Sequence, residues 1–190
     1  MTAVVRNPLY GRRMDLNWTK ELTEQLDFHW HRQLMPRLEG LTDEEYLWEP
    51  VDGCWSVRPN GDGFMLDWAN PAPVPPPFTT IAWRISHIAT VVLEARAANH
   101  FGDGFDLDAV RWPGTAQAGL DYLQESYALW HKGVSALDDE ALARPCGPAE
   151  GPYHAHPFAT LVLHVNREVI HHGAEVATLR DLYRDRTRGK

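Results

Sequence analysis

The stretch His164-Val165-Asn166-Arg167-Glu168-Val169-Ile170-His171-His172-Gly173-Ala174-Glu175 concentrates the chemistry-bearing residues of this chain. Read as a helix, it stacks His164, Glu168 and His172 on one stripe, because residues four apart share a helix face. A carboxylate and an imidazole one turn apart on a rigid helix are two ready ligands for a divalent metal, the spacing logic of the HExxH helix. His164 and His172 stand about 12 Å apart along the axis at about 1.5 Å per residue, too far to share one ion. Only a neighbouring pair can act together, so a third ligand must come from another element.

His87 is the candidate for that third ligand, set among apolar residues in Trp83-Arg84-Ile85-Ser86-His87-Ile88-Ala89. Ligand sites in bundle cores draw side chains from facing helices. His87, Glu168 and His172 would leave one or more positions open to water or substrate, which is the pattern of a catalytic zinc site rather than a closed structural one. The same donors suit nickel, iron or manganese, so the ligands alone do not name the metal. A plainer reading stands beside this one: histidines hydrogen-bonded in a core, and Glu168 paired with Arg167 or Arg84. His171, rotated by about 100° from His172, reads as a packing or ligand-orienting residue. His164 reads as a neighbour that donates a hydrogen bond near the site or packs against it. His29 and His31, two apart on a helix, do not face each other. His154 and His156 fall in a loop, and His100 and His131 have no partner by spacing. No nucleophile elbow, P-loop or dinucleotide-binding glycine pattern is present in its required context.

Helices must position these groups. Leu22, Leu26, Trp30, Leu34 and Leu38 recur at intervals of four and predict a helix over about 17–38, with Pro36 bending or shortening its last turn. Thr42-Asp43-Glu44-Glu45 has the form of a capping box opening a short helix toward Trp48. Further helices are expected over about 79–100, 115–137 and 158–184, and the charged tail from Arg184 to Lys190 is expected to fray. Between residues 49 and 77 glycines and prolines forbid a long regular element, and a loop of that length in a compact domain is functional or wraps the core. No strand pattern of convincing length and no internal repeat is found. The expected fold is all-α, a four-helix bundle with long irregular connections, forming one domain over residues 1–190.

Composition narrows the partners. A chain of 190 residues, 44% hydrophobic and with 8 tryptophans, suffices for one packed core. Its net charge of −8 argues against a general nucleic-acid binder, which would show a basic patch. No apolar run reaches the roughly 20 residues needed to span a bilayer. The N-terminal segment shows no secretory signal pattern. Cys54 and Cys146 read as free thiols in a reducing cytoplasm, so a cytoplasmic protein with a small-molecule substrate is expected. Exposed bundle faces leave a homodimer open.

The helix from Leu163 to Glu175, the mid-helix His87 after Trp83, and the segment from Leu41-Thr42 to Trp55-Ser56-Val57 together resemble the DinB-like superfamily. The resemblance runs from the first helix to about Tyr183. It implies a metal-binding four-helix bundle whose second-helix ligand falls on His87 and whose last ligand falls on His172. Many members carry histidine where this chain has Glu168. The mycothiol-dependent maleylpyruvate isomerase branch is similar to this chain in pairing a Glu and a His four apart with one earlier His. What the resemblance implies for activity is metal-assisted chemistry of a low-molecular-weight thiol such as mycothiol, as an S-transferase or thiol-dependent isomerase, with zinc the leading metal. The alternative is a non-enzymatic, stress-linked metal-binding bundle.

Overall fold

The computed structural model describes residues 15–188; the N-terminal reading for residues 1–14 and the last two residues of the tail lie outside them. Helix α1 spans 18–38 and opens on Asn17, whose side chain accepts from the Lys20 N–H. It is α-helical over Trp18–His29, π-helical over Trp30–Leu34 and α-helical again over Met35–Leu38, with Pro36 in the first turn of that last piece. A proline lacks the N–H and crowds the carbonyl four residues earlier, so the turn ahead of Pro36 is where a wider π turn is tolerated. The expected bend is thus met by widening the helix rather than by ending it.

Thr42 caps the short helix α2, Asp43–Tyr46, by accepting from the Glu45 N–H. Only this half of the capping box carries the expected role, because the Glu45 carboxylate is held by Arg180 at 2.8 and 3.0 Å. The irregular stretch that follows contains a hairpin that the sequence pattern did not reveal: β1, Val57–Asn60, pairs antiparallel with β2, Gly63–Leu66. Arg58 ties it down through Glu49 at 2.5 Å and Asp67 at 3.0 Å. Trp55 then forms a bridge to Thr79, its N–H donating to the Phe78 carbonyl at 2.8 Å, and Ser56 Oγ meets Thr80 Oγ1 at 2.9 Å. The 49–77 segment therefore braces the start of the second long helix.

That helix, α3, spans 81–101 and opens on Thr80, whose hydroxyl accepts from the Trp83 N–H. It too changes register: α-helical over Ile81–His87, π-helical over Ile88–Glu94, α-helical over Ala95–Phe101. Helix α4, Ala116–Ser135, is capped by Thr115, and Asp138 caps the short α5, Asp139–Ala143, where the sequence pattern had simply ended. Helix α6 runs over Phe158–Arg188, past the expected end at 184.

The four long helices pack as a bundle, each contributing an apolar stripe: Leu22, Leu26 and Leu34 from α1, Ile85, Ile88 and Val92 from α3, Leu123 and Val134 from α4, Val165, Val169 and Val176 from α6. Each such side chain contributes about 1.5–3 kcal/mol when fully buried. Trp30 stacks on Tyr127 at 3.9 Å between ring centroids, joining α1 to α4. No described helix is long and apolar enough to cross a membrane.

Close approach of α1 and α6 explains a glycine inside the longest helix. A Cβ at Gly173 would stand 2.8 Å from His29 Nε2 and 3.2 Å from Leu34 Cδ1. In an exposed helix, glycine to alanine gains about 1 kcal/mol. Here the buried His29 ring, held to Gln33 at 2.9 Å, must yield. Gly173→Ala is therefore expected to destabilise the protein by about 1–2 kcal/mol, read as a lower midpoint in thermal denaturation. A raised midpoint would show that His29 moves aside without cost.

Candidate metal centre

Helix α3 delivers His87 at the last residue before its π-helical stretch, and α6 delivers Glu168 and His172 one turn apart. The structure brings the two histidines together: their ring centroids are 4.8 Å apart and the rings perpendicular. His172 Nε2 lies 3.4 Å from Glu168 Oε2. His172 thus meets each of the other two candidates, His87 across the interface of two facing helices and Glu168 one turn back on its own.

His87 is stacked on Trp83 at 5.0 Å, and its Nδ1 is buried with no hydrogen-bond partner. Burial first, then the neighbouring His172 and Arg84, push its pKa down to about 3. The ring is therefore neutral near pH 7, the form in which an imidazole binds a metal. Burial pushes the Glu168 carboxyl up, but His164, His172 and Arg167 together outweigh this and leave it below its usual value. Glu168 is a carboxylate with histidines on both sides, since His164 Nδ1 lies 3.5 Å from its other oxygen.

Glu175, to which spacing assigned no role, completes the arrangement. Its Oε2 is 2.7 Å from His172 Nδ1 and 3.1 Å from Arg84 Nε. Arg84 Nη1 is also 3.2 Å from His172 Nδ1. One nitrogen cannot both donate to Glu175 and accept from Arg84. The shorter, charge-assisted contact decides: Nδ1–H donates to Glu175, and Arg84 is bound through its ion pair with the same carboxylate. This tautomer puts the lone pair on Nε2, on the Glu168 side. A carboxylate on the far nitrogen of a ligating histidine is the usual device for fixing its orientation. Glu175 follows His172 by three residues and His171 by four, so the helix period itself carried the signal.

A second donor set shares His172. His171, His172 and Glu175 place ligand atoms within 4.8 Å of one another, close enough for one ion. It would use the opposite ring nitrogen of His172, and it includes the exposed His171, 3.4 Å from Glu175.

Of the remaining sequence candidates Arg84 stays at this place, ion-paired with Glu175 and packed on Trp83, and the others lie apart from it. Trp55 packs against Trp83 at 6.0 Å, behind His87. His100 and His131, without partners by spacing, find them across the fold: Glu150 at 2.9 Å and Asp27 at 3.1 Å. Cys54 and Cys146 are buried and free, and burial pushes both thiols up. They are inert structural cysteines.

The fold and this cluster define a class: a helical bundle with imidazole and carboxylate donors gathered between two of its long helices. The chain belongs to the DinB superfamily, whose family model matches residues 25–176. Its structure is similar to the crystal structure of a conserved protein from Enterococcus faecalis, with a TM-score of 0.59 over 88% of this chain and 98% of that one. Sequence identity is 14%, so this likeness concerns the fold alone. No curated protein matches the chain by sequence.

Proposed function

We propose that His87, Glu168 and His172 hold a divalent metal ion, with zinc favoured, and that the protein is an enzyme acting with a low-molecular-weight thiol on an electrophilic small molecule. The observation that carries the reading is the hydrogen bond from His172 Nδ1 to Glu175, which leaves Nε2 as the free ligand atom beside Glu168 and the perpendicular His87 ring. The alternative set of His171, His172 and Glu175 is opposed by charge. Arg84 sits 3.1 Å from Glu175 and 3.2 Å from His172 Nδ1, so a guanidinium already holds the side where that ion would sit.

A bound metal would supply a cation that deprotonates a coordinated thiol near neutral pH. The chain's own residues set the conditions for this. Two imidazole donors and the single negative charge of Glu168 would leave net positive charge at a divalent ion, which favours a thiolate. Glu175 fixes the His172 ring, and Arg84 holds Glu175 in turn. Trp83 covers one face of His87 and keeps that side dry. DinB superfamily membership supports thiol chemistry only by analogy, because fold does not fix function.

The test is elemental analysis of untagged protein beside its His87→Ala, Glu168→Ala and His171→Ala variants. Near-stoichiometric metal is expected in the parent and in His171→Ala, with at least about a tenfold loss in the other two. Metal lost from His171→Ala and kept by His87→Ala would move the centre to the second donor set. The enzyme reading further expects the loaded protein, screened with mycothiol, glutathione and related thiols, to speed their reaction with an electrophile. Stoichiometric metal without turnover for any pair would favour the second reading, a metal-binding bundle without catalysis.

A further inference from the structure

Beyond the metal centre, on the other side of His164, lies a cavity of about 510 Å³. It is bounded by α3, α6 and the 145–157 connection, which is stitched to the start of α6 by the Phe158 N–H donating to the Arg144 carbonyl at 2.7 Å. Its walls are mostly apolar, with Leu161, Leu163 and Tyr153 among them, and two arginines, Arg96 and Arg167, line it with His164. A mostly apolar cavity with a few converging polar groups is the usual form of a small-molecule site.

The charges in its wall are unevenly satisfied. Glu150 is the one acidic group among the cavity-lining residues, and its carboxylate is already engaged, 2.9 Å from His100 Nε2 on one oxygen and 3.8 Å from Arg96 Nε on the other. That second distance is a charge contact but too long for a hydrogen bond. Arg96 Nε is therefore a buried donor with no acceptor, while its Nη1 donates to the Val91 carbonyl. Arg167 donates from Nη2 to His164 Nδ1 at 2.6 Å, which puts the proton of a neutral His164 on Nε2 and makes it a second donor in this wall. The counter-ion of Arg167 is Glu168, 3.4 Å away, the same carboxylate proposed to bind metal.

We propose that this cavity binds a small organic carboxylate with an apolar body, its anionic end set among Arg96, Arg167 and His164 and its body against Leu161, Leu163 and Tyr153. Binding of the carboxylate stands on the cavity alone. Its coupling to metal rests on the reading of Glu168 as a ligand: a cation that takes up the Glu168 charge frees Arg167 for the anion, so each strengthens the other's binding. The substrate class named by this geometry is an acid with an aryl or alkyl body, placed one helical turn from the metal centre.

Calorimetric titration with cinnamate and with cinnamamide, its neutral counterpart of nearly equal shape, tests the site on protein stripped of metal. Saturable one-to-one binding of cinnamate is expected, with the amide weaker by about tenfold or more, since an ionic hydrogen-bonded contact is worth about 1.5–3 kcal/mol. Arg167→Gln, at an exposed position outside the core, is expected to weaken cinnamate severalfold and leave the amide unchanged; Arg96→Gln, checked for folding by circular dichroism, should do the same. No saturable binding, equal affinity for acid and amide, or an unchanged affinity in Arg167→Gln would overturn the site. Zinc loading should then tighten cinnamate about fivefold in the parent and not in Glu168→Gln. Cinnamate affinity indifferent to bound zinc would overturn the coupling, whereas failure of zinc to bind at all would remove the metal reading and leave the carboxylate site standing.

Discussion

Replacing His172 by alanine is expected to reduce bound metal from near one equivalent to background, while far-UV circular dichroism shows the helix content of the parent. The effect should exceed that of any other single substitution because His172 belongs to both donor sets, through Nε2 in one and Nδ1 in the other. Structure should survive because α6 is held along its length by residues that the change does not touch, Val165, Val169, Val176 and Leu179 among them. The cost to stability is the cavity left beside the His87 ring and the hydrogen bond to Glu175 lost with the imidazole. Glu175→Gln should fall between parent and His172→Ala, weakening metal by about 10–100-fold, the usual result of losing the partner that orients a ligand. Full occupancy in His172→Ala would sink the centre outright. Loss in Glu175→Gln equal to that in His172→Ala would instead make Glu175 a ligand and favour the second set.

Much of the fold was legible because local signals agreed with one another. The leucines of α1 recur every four residues, and Thr42, Thr80 and Thr115 each take a helix N-cap with the side-chain bond their chemistry allows. The π-helical stretches were not legible, because widening a turn changes no residue type; Trp30–Leu34 and Ile88–Glu94 read as ordinary apolar helix. The hairpin was hidden by Pro59 in β1 and by the low alternation of Gly63–Leu66; it depends on Arg58 reaching Glu49 and Asp67, contacts no period predicts. At the candidate centre, the Glu168–His172 step was visible as i, i+4 and the meeting with His87 as a property of facing helices. The pairing of Arg84 with Glu175 was not, since it joins residues on different helices, nor was that of His100 with Glu150. Both π stretches begin directly after a histidine, the buried His29 and the half-buried His87. A π turn shifts everything after it around the helix, so the apolar stripe of α3 is re-aimed immediately past the proposed ligand.

Glu45→Ala is expected to be among the most destabilising substitutions outside the apolar core, by about 3–5 kcal/mol. Arg180 on α6 grips both oxygens of Glu45, Nε to Oε1 at 2.8 Å and Nη2 to Oε2 at 3.0 Å, and its remaining nitrogen donates to the carbonyls of Arg37 and Glu39. Both side chains are largely buried, so removing the carboxylate strands a cation where water reaches it poorly. For a chain of this length the loss corresponds to a drop of roughly 6–20 °C in thermal midpoint. The cap of α2 is not the cause, because Thr42 bonds the backbone N–H of residue 45 whatever its side chain. Pairing Glu45→Leu with Arg180→Met should recover most of the loss, since two apolar groups need no partner; a double variant no more stable than Glu45→Ala would assign the effect to packing instead. The bridge clamps the C-terminal half of α6 to the end of α1 and to α2, two turns beyond His172. Because α2 also packs on the start of α3, the bridge links the placement of α6 to the helix that carries His87. Metal affinity in Glu45→Ala, measured below its melting transition, should therefore fall while the ligands themselves are intact.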